Sequence, residues 1–202
     1  MKGEKFIGER LIINIIDKPS DEEILTNCYY HWSGYTDSAL ALVSRCIATY
    51  EANKSKYDDK KILAIKMLES TGAGLYKNDI EKYLELKLLN PKYPYLKVAD
   101  DRNAGLIAIS QNEIQDNCDS GEEYAYIFLD TETVDFQACY IYDYDDLKEL
   151  DEDEIKVEDL PEIDFDSINE ISFKDFGAFA AEVSGSGYRF KLKDGTVVGK
   201  IG

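Results

Sequence analysis

Between Leu11 and Ile16 the chain reads Leu-Ile-Ile-Asn-Ile-Ile, an aliphatic and mostly β-branched run that Lys18-Pro19-Ser20-Asp21 brings to a stop. β-Branched side chains lose rotamer freedom in a helix but pack well on a pleated surface, and proline among polar turn formers ends the element before it. Together with Phe6-Ile7, the run reads as a buried strand followed by a turn, so the fold has to supply a sheet around it. Ile24 to Trp32 is a second strand candidate, joined to the first as a hairpin.

The rest of the chain supplies helices and further strands. After Gly34-Tyr35, Thr36 is placed to cap a helix from about Asp37 to Asn53, because Leu40, Val43, Ile47 and Tyr50 recur at helical spacing. Asp37 adds negative charge to its first turn, where the helix dipole favours it. A second helix is expected from Asp58 or Asp59 to about Glu69, with Ile62, Ile65 and Leu68 inward and Thr71-Gly72-Ala73-Gly74 as its stop. A third runs from Asp79 to Leu89 and ends at Asn90-Pro91, since a residue before proline is turned away from helix. Gly105 to Ile109, Glu123 to Leu129 and Val134 to Tyr142 read as three short strands, with Asp130-Thr131-Glu132-Thr133 as a polar loop. Near the end, Tyr188 to Lys193 and Thr196 to Ile201 flank Asp194-Gly195, a hairpin signal. Phe173, Phe176 and Phe179, with Ala178, Ala180 and Ala181, read as a short helix beneath that hairpin.

Strands, then helices, then strands returning to the same sheet define an α+β fold, expected as an antiparallel sheet packed on two or three helices. Residues 1–142 form the expected core domain, 143–166 an acidic segment, and 167–202 a short helix plus a small C-terminal β-hairpin. Within the acidic segment Leu147, Leu150, Ile155, Val157, Leu160, Ile163 and Phe165 are interleaved regularly enough that part of it should dock as short helix or strand.

Charge narrows the function. The 202 residues carry 41 acids against 23 Lys and Arg, a net charge of −18. Residues 1–100 hold 15 of each sign, residues 101–166 hold 22 acids and three bases, and residues 167–202 hold four acids and five bases. The whole excess thus belongs to one 66-residue stretch. Such a surface repels phosphate backbones, so direct DNA binding is not expected. No apolar run approaches the roughly 18–20 residues of a membrane helix, and a soluble, cytoplasmic protein is expected. Cys28, Cys46, Cys118 and Cys139 lack Cys-x-x-Cys spacing and His31 is the only histidine, so no zinc cluster of ordinary spacing forms locally. The thiols read as small buried apolar residues, and neither a metal nor a cofactor is expected.

Tyr29-Tyr30-His31-Trp32-Ser33-Gly34-Tyr35 places the only His and the only Trp at a strand-to-helix junction. Backbone N–H groups at such a helix start can bind an anion or orient a substrate. His31, with Arg10 and Tyr35, is therefore the candidate catalytic group of a small enzyme or of a protein acting on a nucleotide or RNA. A purely structural account competes with it: His31 bonds to backbone, Trp32 fills the core and Gly34 permits the turn. Cys28, three residues back along a strand, points to the opposite face and is no partner for His31.

The segment Ile7-Gly8-Glu9-Arg10 with Tyr30-His31-Trp32-Ser33-Gly34-Tyr35-Thr36 resembles uncharacterised phage and mobile-element proteins that carry an HWDGYP-like sequence after an N-terminal strand. Asp101-Arg102-Asn103-Ala104-Gly105-Leu106-Ile107-Ala108-Ile109 and Thr133-Val134-Asp135-Phe136 resemble further blocks of that group, over roughly residues 6–142. Ser33 stands where Asp is common and Thr36 where Pro is common, so no metal or acid–base role is carried over to position 33. The resemblance implies an origin in a mobile element and is silent on the acidic block and the terminal hairpin.

The acidic stretch has several chemical readings. Asp143, Asp145, Asp146, Asp151, Glu152, Asp153 and Glu154 are oxygen ligands in principle, yet the EF-hand order with its central glycine is absent. Mimicry is the more attractive chemical reading, with a solvated face that only keeps the protein soluble standing equally beside it. These acids, with Glu158 and Asp159 and with Tyr140, Tyr142 and Tyr144 interleaved, can occupy a basic groove that another protein keeps for nucleic acid. Resemblance and charge together set the expectation: a phage or mobile-element inhibitor of a host nucleic-acid-targeting defence, of anti-CRISPR type. Its partner would be a host protein with a basic groove, such as a CRISPR effector nuclease. The acids at 116, 119, 122 and 123 would assist.

Overall fold

The computed structural model describes residues 10–21, 23–31, 33, 36–99, 105–109, 123–136, 162–164, 171–185, 188–191 and 197–200. Strands β1 (Leu11–Ile16) and β2 (Ile24–Tyr30) form the expected antiparallel hairpin, with Leu11 opposite Tyr30, Asn14 opposite Asn27, and a register shift before Ile16. Helices α1 (Thr36–Asn53) and α2 (Lys60–Glu69) follow, then β3 (Gly74–Leu75), a 3-10 turn (Lys77–Asp79) and α3 (Ile80–Leu89). The chain continues through β4 (Leu106–Ala108), β5 (Glu123–Phe128), β6 (Thr133–Phe136), β7 (Glu162–Asp164) and β8 (Ile171–Ser172). It closes with α4 (Phe173–Gly185), β9 (Tyr188–Lys191) and β10 (Val197–Lys200). Among the described residues no helix is long and apolar enough to cross a membrane.

Local chemistry explains the helix boundaries. The Asp59 carboxylate accepts from the backbone N–H of Lys61 (2.9 Å) and Ile62 (3.2 Å), capping α2. Thr71 Oγ1 donates to the Leu68 carbonyl at 2.6 Å as that helix ends, and Gly72 then turns the chain at a φ of +93°. Asn90 is extended ahead of Pro91, as the proline ring requires, and α3 stops there. Ser172 receives the Asp175 N–H at 3.2 Å and donates its own hydroxyl to the Asp175 carboxylate at 2.6 Å, fixing the start of α4.

The class is α+β, but the sheet is mixed rather than antiparallel. Its seven strands run in the order β3-β4-β2-β1-β5-β6-β8, with β1 parallel to β5 and β3 parallel to β4. A two-residue turn can only reverse a strand, whereas the long excursion through α1, α2 and α3 lets the chain return alongside β1 in the same direction. A separate three-stranded sheet has the order β10-β9-β7. There β9 and β10 form the expected antiparallel hairpin, and β7, from the end of the acidic segment, runs parallel to β9.

The four described helices contribute to one core. Leu11, Ile13, Ile15, Cys28, Tyr30, Ile107, Ala125, Ile127, Val134 and Phe136 meet Leu40, Val43, Ile62, Ile65, Leu68, Tyr83 and Phe176 in a single buried cluster. Phe173 and Phe176 were expected beneath the C-terminal hairpin. They pack instead into this cluster: Phe173 stands edge-on to Tyr50 at 5.2 Å between centroids, and Phe176 lies 6.4 Å from Phe136. The alternate residues Ile12, Tyr29, Leu106 and Ala108 form a smaller cluster with Tyr76 on the opposite face.

Candidate functional site

The β1–β2 hairpin fixes where His31 sits. Tyr29 is fully buried on the face opposite the helix-side core, and its hydroxyl is 2.7 Å from His31 Nδ1, so the imidazole is tied to a core tyrosine. The rings are tilted by 49° with centroids 6.1 Å apart, and His31 is half-buried. Strand alternation places Cys28 on the helix side, away from His31. Burial drives both described thiols, Cys28 and Cys46, well above their ordinary ionisation range, so neither is a poised nucleophile. Arg10 precedes Leu11 just as His31 follows Tyr30, so the two flank the last backbone pair at the same end of the hairpin. Arg10 is half-buried and, like His31, is engaged in interactions of its own. The third member of the expected trio, Tyr35, lies outside the described residues, as do Trp32 and Gly34.

A second group of polar residues escapes a reading along the chain and appears only across the sheet. The Cα partners run Ala108, Asn27, Asn14, Tyr126, Asp135 through β4, β2, β1, β5 and β6. Partners in register share a face, and Ala108 marks it as the one without helices. The neighbouring row is Leu106, Tyr29, Ile12, Tyr124, and His31 lies one step beyond. Tyr124 and Tyr126 stack at 6.0 Å with planes 18° apart. Burial holds the Tyr126 phenol above its usual range, with Tyr124 and Asp135 adding to the effect. Asn14 is 0% exposed and Asn27 1%. Neither Nδ2 nor Oδ1 of Asn14 has a hydrogen-bond partner, whereas Asn27 and Asp135 have interactions of their own. Each unmet buried donor or acceptor costs about 1–3 kcal/mol, so Asn14 is out of place in a merely structural core.

Asp79 is a further buried polar group. At 1% exposure its carboxylate accepts from the Ile109 N–H at 2.5 Å, tying the 3-10 turn to the end of β4. That role is architectural. The expected partner-binding acids Asp143, Asp145, Asp146, Asp151, Glu152, Asp153, Glu154, Glu158 and Asp159 lie outside the described residues. Among the described residues no group of three or more His, Cys, Asp and Glu side chains is placed to hold a metal ion.

Fold and site together define an α+β protein with a mixed seven-stranded sheet, helices on one face, and a polar, aromatic row on the other. Compared with known protein families, curated proteins and solved structures, the chain finds no match.

Proposed function

We propose that the chain is an inhibitor encoded by a phage or other mobile element that binds a host nucleic-acid-targeting effector, of the CRISPR nuclease kind, through the acids of residues 101–166. The observation that carries the reading is the charge distribution: 22 acids against three bases in that stretch, beside a neutral first hundred residues. Carboxylates in that density complement a groove lined with Lys and Arg, speed encounter and set specificity. The architecture is compatible with a shaped carrier. The stretch includes β4, β5 and β6 of the main sheet and, near its end, β7, which pairs with β9.

The test is capture of host proteins on the purified chain at roughly 0.1 M and 1 M salt, across which the Debye length falls from about 10 Å to about 3 Å. A basic nuclease retained at low salt and released at high salt is the expected result. Reversing Asp143, Asp145, Asp151 and Glu152 to Lys should abolish capture and leave the circular dichroism spectrum unchanged. Undiminished binding by that variant would overturn the reading.

A further inference from the structure

We propose that the outer face of α3 is a self-association surface, which pairs antiparallel with α3 of a second copy of this chain. This goes beyond the effector reading and does not depend on it, because α3 lies outside residues 101–166. The large apolar side chains exposed among the described residues are Leu84, Leu88, Leu89, Tyr95 and Val98, at 52%, 83%, 84%, 77% and 40%. All of them fall on α3 or in the segment that follows it. Tyr83 turns into the core, and residues four apart on a helix are neighbours, so Leu84 and Leu88 form one outward ridge with Leu89 beside it. Lys87 joins Tyr95 to this patch: its Nζ lies 5.6 Å from the ring centroid and donates to the Tyr93 carbonyl at 3.3 Å.

Charge selects the occupant. Two bodies of net charge −18 repel, so copies approach most readily where that charge is offset. Residues 77–98 hold five lysines against three acids, and one of those acids, Asp79, is buried against the Ile109 N–H. Lys82 apart, the signs are segregated along the patch: Glu81 and Glu85 come first, Lys87 and Lys92 after. A two-fold axis at Leu88–Leu89 lays two such helices antiparallel, sets Glu85 of each copy against Lys92 of the other, and opposes their dipoles. An anionic lipid surface fits less well, since Glu81 and Glu85 are exposed beside the leucines and would be repelled. At about 200 Å² for a fully exposed large side chain, Leu84, Leu88, Leu89 and Tyr95 present on the order of 600 Å². That falls short of the ~800 Å² per partner of a standard interface, so the dimer is a weak one, with a Kd of about 10–500 µM.

The experiment is sedimentation velocity of the full chain from about 10 µM to about 500 µM, a range that spans the expected Kd. The sedimentation coefficient should rise with concentration. Leu88→Glu combined with Leu89→Glu should abolish that rise and leave the circular dichroism spectrum unchanged, because both side chains are exposed. Glu85→Lys and Lys92→Glu should each weaken association about threefold to tenfold, by setting like charges opposite each other. An equimolar mixture of those two variants should associate as the unaltered chain does, since each mixed dimer again carries two opposite-charge pairs. Three results would overturn the proposal: no association at about 500 µM, association that the double-leucine variant retains within twofold, or a mixture no stronger than its components. Capture of the monomer by phosphatidylserine vesicles, lost in the double-leucine variant, would also overturn it and assign the ridge to a membrane.

Discussion

Gly105 holds a φ of +91°, and a Cβ built there would come within 2.6 Å of Cε1 of Tyr30 and 2.9 Å of Cβ of Ala73. Tyr30 is itself buried, its hydroxyl 2.7 Å from Thr71 Oγ1, so the ring has no room to retreat. Gly105→Ala should therefore lower stability by about 2–4 kcal/mol, combining backbone strain with overpacking. Gly72 offers the control: its φ is +93° but nothing lies within 4 Å, so Gly72→Ala should cost only about 1–2 kcal/mol. Urea unfolding of the two variants measures the difference, and equal losses would mean that the Tyr30 contact is unimportant. At this scale the sequence conceals as much as it displays. Asn14 is visible as the one polar residue in an aliphatic run, whereas Asn27, Tyr126 and Asp135 join it only through pairing across four strands. His31 stands out by composition, yet its bond to the Tyr29 hydroxyl depends on two residues of one strand end sharing a face.

Elements whose ends are marked by local chemistry are the ones legible in the sequence. Asp59 announces α2, Asn90-Pro91 terminates α3, and the strands flanking Asp194-Gly195 pair as β9 and β10. Asp59→Ala removes the side-chain acceptor for two N–H groups and should cost about 1 kcal/mol, seen as a lower thermal midpoint, while Asp59→Asn should recover most of it. A similar loss in both variants would point to charge rather than capping. Strand order and direction are not legible, because nothing near Leu11 or Glu123 marks them as partners. The two-residue strand β3 was hidden for a related reason. Gly74 reads as part of a helix stop, but a Cβ there would lie 2.8 Å from the Lys97 carbonyl oxygen, so the glycine permits a close backbone approach beside the β3–β4 pairing.

For the whole molecule, one consequence of the shared helix-side core is a stability that falls in alkali. Burial raises Cys46 from 9.0 to about 12 and moves Cys28 in the same direction. The unfolded chain releases these protons near pH 9 and the folded chain retains them, so the folded state binds more protons above that point. Stability is then complete below pH 9 and declines between pH 9 and 12, by at most about 1.4 kcal/mol per pH unit for each thiol. Urea midpoints at pH 8, 9 and 10 should show the decline, and Cys46→Ala should flatten it; an unchanged slope would assign the loss to other groups. The parallel pairing of β1 with β5 has a different outcome, in time rather than energy. Because Leu11 waits for Glu123, about 110 residues must be added after β1 is made before its second neighbour exists. At ~5–20 residues per second that leaves an aliphatic strand with one bare edge for roughly 5–20 s on the ribosome. The nascent chain is thus at its most adhesive midway through translation, which makes a holding chaperone a determinant of yield.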